Sequence, residues 1–175
     1  PILEDAIELG RSFVQPKYWG SRALDYLWQG IGAYLSHNPH IKYMIGPVSI
    51  SGTYAKHAQE ALVYFYTLYF GSKHTYLKAK SPFHLSDNVK EEFAKIFSGD
   101  DYEHDFRVLK DYLKTFDAAV PTLYKQYSEL CEEGGVQFID FGIDVDFNNC
   151  IDGYIMVEIN RIKEAKRNRY IKETV

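Results

Sequence analysis

Cysteine is scarce: Cys131 and Cys150 are the only two in 175 residues, too few for a disulfide framework or a cysteine metal site and suited to a reducing compartment. No apolar run approaches the roughly 18 residues that a spanning helix needs. The opening Pro1–Asp5 has neither the basic start nor the apolar stretch of a signal peptide. An initiator Met is also lacking, as expected of a processed or shortened chain. There is no surplus of positive charge, and a net charge of −4 argues against a general nucleic-acid binder. The six histidines show no ligand spacing, and no Ser sits in a nucleophile-elbow pattern. Asp144-x-Asp146-x-Asn148 opens like a calcium loop, but Asn149 stands where a Gly is needed and Ile155 where a bidentate Glu is needed. No metal is expected.

What the sequence does hold is ordinary for a soluble domain in apolar and charged content, at 46% and 25%. The length suits one domain with a single core, so residues 1–175 are read as one unit. Fifteen tyrosines, eleven phenylalanines and two tryptophans make a heavy aromatic load that a pocket could use.

Alternation of Ile7, Leu9 and Phe13 predicts a strand over residues 3–14, stopped by Pro16. Leu24, Leu27, Trp28, Ile31 and Leu35 recur at helical spacing, which predicts an amphipathic helix over 21–36. Gly30 and Gly32 cost that helix about 1 kcal/mol each, and close approach of its backbone to the strands beneath would compensate. A second strand is predicted at 41–51. Strand, helix and strand at these lengths imply a parallel pair with a right-handed crossover. Helices follow at 55–70, at 88–98 with Asn88 and Glu91 at capping-box spacing, at 102–116, and from Pro121 toward Gly134-Gly135. Strands at 136–145 and 151–160 form a hairpin. The tail 161–172 is strongly basic. The order gives an α/β (or α+β) fold with a sheet of about four strands, and a helical insertion at about 71–120.

The richest segment runs from Glu8 to Arg22, from strand through loop to helix start. Such a loop converges several backbone N–H groups at the positive end of a helix, which makes an anion site suited to a phosphate. Val14-x-Pro16-x-Tyr18-x-Gly20, followed by Leu24 and Leu27, resembles motif A of the Gcn5-related N-acyltransferase (GNAT) superfamily. Glu8 through Val14 and Leu27-Trp28-Gln29-Gly30-Ile31 are similar to the branch of ornithine-lipid N-acyltransferases and hemolysin-like bacterial proteins. Met44-Ile45-Gly46-Pro47-Val48-Ser49 and Asp140 through Asn148 also resemble that branch. The Glu8-x-x-Arg11 spacing is similar to acyl-homoserine-lactone synthases. The resemblance spans nearly the whole chain but only the C-terminal part of the fold, whose first strands are expected to be missing.

The resemblance implies an N-acyltransferase moving a long, 3-hydroxy or plain, acyl group from acyl carrier protein to the amine of ornithine or glycine in aminolipid synthesis. Glu8 would be the general base, the Ser12 N–H the oxyanion donor, and Arg11 the grip on the acceptor carboxylate. An ordinary Glu8–Arg11 ion pair is the bland alternative. Val14, Lys17, Tyr18, Trp19, Gly20, Ser21 and Arg22 would cradle the phosphopantetheine of the donor. Trp19, Arg22 and Leu24 replace the Arg and small residues of the usual coenzyme A loop. This favours acyl carrier protein over acyl-CoA, with Lys17 and Arg22 facing the acidic carrier. Tyr64, Phe65, Tyr66, Tyr69 and Phe70 would either line an acyl tunnel or pack the core. The basic tail could meet an anionic membrane, implying a cytoplasmic protein peripheral to the inner membrane. An unpartnered first strand suggests a homodimer or weak activity. Two other readings stay open: an acetyl-CoA-dependent N-acetyltransferase, and a non-enzymatic, membrane-active module.

Overall fold

Val48 and Ile50 are buried while Pro47 and Ser49 are exposed, the period-two signature that makes Tyr43–Ile50 a strand, β2. In the computed structural model, which describes residues 2–74 and 77–171, it belongs to a four-stranded sheet. The other members are β1 (Ala6–Glu8), β3 (Val136–Asp144) and β4 (Cys150–Glu158), in the order β1-β2-β4-β3. β1 runs parallel to β2, with Ala6 opposite Tyr43 and Glu8 opposite Ile45. The crossover between them carries helix α1 (Ala23–His37). β3 and β4 are joined by residues 145–149, a link short enough only for an antiparallel hairpin. The sheet is therefore mixed and the fold is α/β, as the sequence predicts.

The first strand is shorter than predicted. A 3₁₀ turn occupies Ile2–Asp5, and β1 covers three residues. Lys42 fastens its entry, with Nζ 2.6 Å from the Asp5 carboxylate and its N–H donating to the Asp5 carbonyl at 2.7 Å. The last ladder bond is Leu9 N–H to the Ile45 carbonyl, 2.7 Å. Beyond it Arg11 adopts φ +56°, which turns the chain out of the sheet and leaves Phe13 exposed rather than alternating inward.

The chain forms two compact units, and their boundary crosses β2 at Gly46/Pro47, β3 at Val136/Gln137 and β4 at Ile155/Met156. In the first unit, α1 packs its Trp28, Gly32 and Leu35 face on a short helix, α6 (Glu164–Tyr170). This helix forms within the tail read from sequence as a basic segment, of which Lys172 lies outside the described residues. Trp28 and Tyr170 rings are 6.0 Å apart. A side chain at Gly32 would meet the Tyr170 carbonyl at 1.8 Å. The close approach expected of the α1 glycines is thus made at Gly32, and toward α6; around Gly30 the space is open.

The second unit holds α2 (Lys56–Phe70), α3 (Asp87–Ile96), α4 (Tyr102–Lys114) and α5 (Thr122–Ser128). The aromatic load is used here as core. Phe65 lies within 5.4–5.9 Å of Tyr66, Phe97, Tyr102 and Phe106, and Tyr66 packs on Tyr124 and Phe138 at 4.8 and 5.2 Å. The α2 rings that could have lined a tunnel pack against one another and against the following helices. Ser86, not Asn88, caps α3 by accepting from Val89 N–H. Asp101 caps α4 through His104 N–H. α5 ends at Ser128, short of Gly134, because the chain leaves it to bridge Cys131 with Ile162.

Candidate functional site

The strand-to-helix loop of the first unit gathers the residues singled out from sequence. Glu8 ends β1 and is exposed, as are Arg11 and Ser12. Among the described residues Glu8 and Arg11 do not pair, so the bland strand ion pair is not formed; nor does Glu8 have the aromatic burial that would mark a desolvated base. The N–H of Ser12 meets no protein acceptor among the described residues. Gly46 crowds this point from β2: a side chain there would come 2.4 Å from the Leu9 carbonyl. Glycine is thus required where β1 and β2 last touch.

Beyond Ser12, the loop is held by its own bonds. Trp19 Nε1 donates to the Val14 carbonyl at 2.8 Å, pinning the indole over a 3₁₀ turn at Pro16–Tyr18. Tyr18 N–H donates to Gln15 and Trp19 N–H to Pro16. Gly20, at φ +74°, reverses the chain. Ser21 Oγ donates to the Tyr18 carbonyl at 2.6 Å and accepts from Ala23 N–H at 3.2 Å. Arg22 begins α1 without any side-chain cap. The N–H groups of Leu24 and Asp25 consequently meet no acceptor among the described residues, at the positive end of a helix of fifteen residues.

Arg22 and Lys17 differ in their availability. Lys17 lies over the Tyr18 ring at 4.8 Å and carries no ion pair among the described residues. Arg22 turns back on Asp25, 2.9 Å away. Asp25 is the residue sequence reasoning missed. Its carboxylate accepts from Arg22, Arg169, Gln29 and Tyr170, and the Arg22 hydrogen bond first, then that from Arg169, holds it below the usual carboxylate range. The signal available beforehand was only its position one turn after Arg22 and in the first turn of α1. The two arginines offset a negative charge that would otherwise oppose an anion at this helix end.

The acidic residues of β3 and β4 lie in the second unit. There a cleft of about 440 Å³ runs over Asp140, Asp144 and Asp152, with Lys78 and Lys80 on its rim. Asp140 accepts from Ala79 N–H, Asp144 from Asp146 and Phe147 N–H, and Asp152 from Ser49 Oγ at 2.6 Å. Those bonds give Asp140 and Asp144 structural work. Among the described residues no group of His, Cys, Asp and Glu could hold a metal ion.

Comparison with known proteins bears on the loop directly. The family described as Acetyltransferase (GNAT) domain matches residues 1–29, the stretch from the 3₁₀ turn through β1 and the loop into α1. Two curated proteins named glycine N(alpha)-acyltransferase are similar over most of the chain. That of Phocaeicola vulgatus is 27% identical over 176 residues, covering 97% of this chain and 53% of the relative. That of Bacteroides thetaiotaomicron is 28% identical over 177 residues, covering 97% and 52%. The chain thus spans about half the length of these relatives. No solved structure matches it. The family match on the loop, the two relatives and the α/β architecture together support membership of the GNAT superfamily.

Proposed function

We propose that the chain carries the donor loop of an N-acyltransferase, which moves an acyl group from a phosphopantetheine thioester to the amine of a small amino acid. The observation that carries this reading is the set of unbonded N–H groups at Ser12, Leu24 and Asp25. Ser12 stands in a loop that has no acidic residue between Leu9 and Arg22, and Leu24 and Asp25 open the helix that follows it. A phosphate suits the helix end, and the Ser12 N–H suits the oxygen of a thioester carbonyl under attack. Glu8, exposed at the strand end, is the candidate general base. The amine nitrogen attacks the thioester carbon, its proton passes to Glu8, and the pantetheine thiolate leaves and takes up a proton. Arg11 is the candidate partner for the acceptor carboxylate.

Glycine is the acceptor supported by the names of the two relatives; ornithine is the other acceptor that the branch resemblance suggests. A long-chain donor on acyl carrier protein is supported by Trp19 and Arg22, bulky where a diphosphate-binding loop is small. Aminolipid synthesis follows from those two choices together. The test is turnover of glycine with palmitoyl carrier protein, palmitoyl-CoA and acetyl-CoA, with product identified by mass spectrometry. Glu8→Gln should lower kcat by about 10²–10⁴-fold. Wild-type turnover in Glu8→Gln would remove the base, and turnover of acetyl-CoA alone would replace the long-chain reading with acetyl transfer.

A further inference from the structure

We propose that the loop Phe13–Trp19 and the outward face of α1 form a docking surface for an anionic phospholipid bilayer. This reading stands apart from acyl transfer, because its readout is binding to vesicles and not turnover.

Helix α1 is apolar on two sides. One side, Trp28, Gly32 and Leu35, is buried. The other carries Tyr26, Leu27 and Tyr34, which are 59%, 43% and 49% exposed, Leu27 and Tyr34 being two turns apart on one face. Just before the helix stand Phe13 and Trp19, 76% and 72% exposed. These are large apolar side chains held in water on a short stretch of chain, which marks an interaction surface rather than scattered exposure.

Charge selects the occupant. Residues 9–22 contain Arg11, Lys17 and Arg22 and no Asp or Glu, within a chain of net charge −4. The cations sit beside the rings, Lys17 4.8 Å from Tyr18 and Arg22 5.3 Å from Tyr26. Trp, Tyr and Phe with Lys and Arg interleaved is the composition of a surface lying at the lipid headgroup level, rings in the acyl boundary and cations on phosphates. Trp19 is prepared for that setting, since its N–H is already satisfied by the Val14 carbonyl and loses nothing on leaving water. No helix among the described residues is long and apolar enough to cross a membrane. The surface also differs from the basic tail. There Arg167 donates to the Ile159 carbonyl and Arg169, like Arg22, is paired with Asp25, whereas Lys17 carries no ion pair among the described residues.

The two tryptophans supply a direct reporter, since Trp28 is buried and Trp19 is exposed. The full chain is mixed with phosphatidylcholine vesicles, with and without phosphatidylglycerol. Co-sedimentation and a blue shift of tryptophan emission are expected with the anionic vesicles, weakening with added salt and persisting in Trp28→Phe. Phe13→Ser with Trp19→Ser should lower partitioning by about tenfold or more, and Lys17→Glu should lower it selectively for anionic vesicles. Circular dichroism of each variant confirms that these exposed sites leave the fold intact. Absence of a shift at low salt would overturn the proposal, as would undiminished binding by the Phe13, Trp19 pair of substitutions. So would a vesicle-independent blue shift that follows protein concentration, which would assign the surface to a second copy.

Discussion

Gly30 and Gly32 lie two residues apart in α1, and replacing each by Ala should move stability in opposite directions. At Gly30 no atom of the described residues lies within 4 Å of an added side chain, so the alanine gains helix propensity of about 0.8–1 kcal/mol with no steric penalty from them. At Gly32 the same methyl would stand 1.8 Å from the Tyr170 carbonyl oxygen and 2.4 Å from its carbon. That neighbour is backbone, and the void lined by α1, α6 and Leu130 is only about 10 Å³, so α6 must retreat by more than an ångström. The retreat loosens the Trp28–Tyr170 ring contact and the Arg169–Asp25 ion pair at 2.6 Å. Overpacking costs about 1–3 kcal/mol, and the loosened ion pair acts in the same direction. After the propensity gain of about 0.8–1 kcal/mol, a net loss of up to about 2 kcal/mol remains. For a chain of this size each kcal/mol moves Tm by about 2–4 °C. Thermal unfolding followed by circular dichroism should thus show Gly30→Ala melting a few degrees above wild type and Gly32→Ala several degrees below. Equal or raised stability in Gly32→Ala would refute the α1–α6 contact as described.

Two further expectations concern buried groups. Burial pushes the Asp105 carboxyl up, but hydrogen bonds from Tyr69 Oη at 2.6 Å and Gly99 N–H at 2.9 Å, with Ser98, outweigh it and hold the group below its ordinary value. The stabilisation is then fully present above the unfolded carboxyl value near about 3.9 and is lost as pH falls through the folded one. Asp105→Asn should cost about 1.5–3 kcal/mol near neutrality, and in acid titrations its stability should fall less steeply than that of wild type. Burial likewise pushes the Cys131 thiol up to about 12, and Cys150 is also buried. A thiol reagent at about pH 8 should label neither until urea unfolds the chain; fast labelling of Cys131 in the native state would contradict its burial.

Much of this architecture was legible because it rests on local rules. Leu24, Trp28, Ile31 and Leu35 set the helical period of α1, and Val48 and Ile50 the alternation of β2, so both elements lie within two residues of their predicted bounds. The first strand was overread because Ile7, Leu9 and Phe13 alternate through a position, Arg11, whose left-handed backbone breaks the ladder, and nothing in the residue type announces that conformation. Helix α6 was missed because what orders it is Gly32 and Asp25, more than a hundred residues earlier in the chain. In the candidate site, the loop and its open amides followed from the strand–loop–helix pattern. The pairing of Arg22 with Asp25, and of Asp25 with Arg169, did not, since two of those partners meet only after folding.

The segment Leu77–Phe83 has a consequence for self-association. Phe83 N–H donates to Phe141 and Ile143 N–H to Ser81, while Asp140 grips Ala79, so the outer rim of β3 is stitched to its own chain. The terminal strand β1 offers a rim just three residues long. Neither margin, among the described residues, gives a stranger's β-segment a long row of vacant donors and acceptors to grow on.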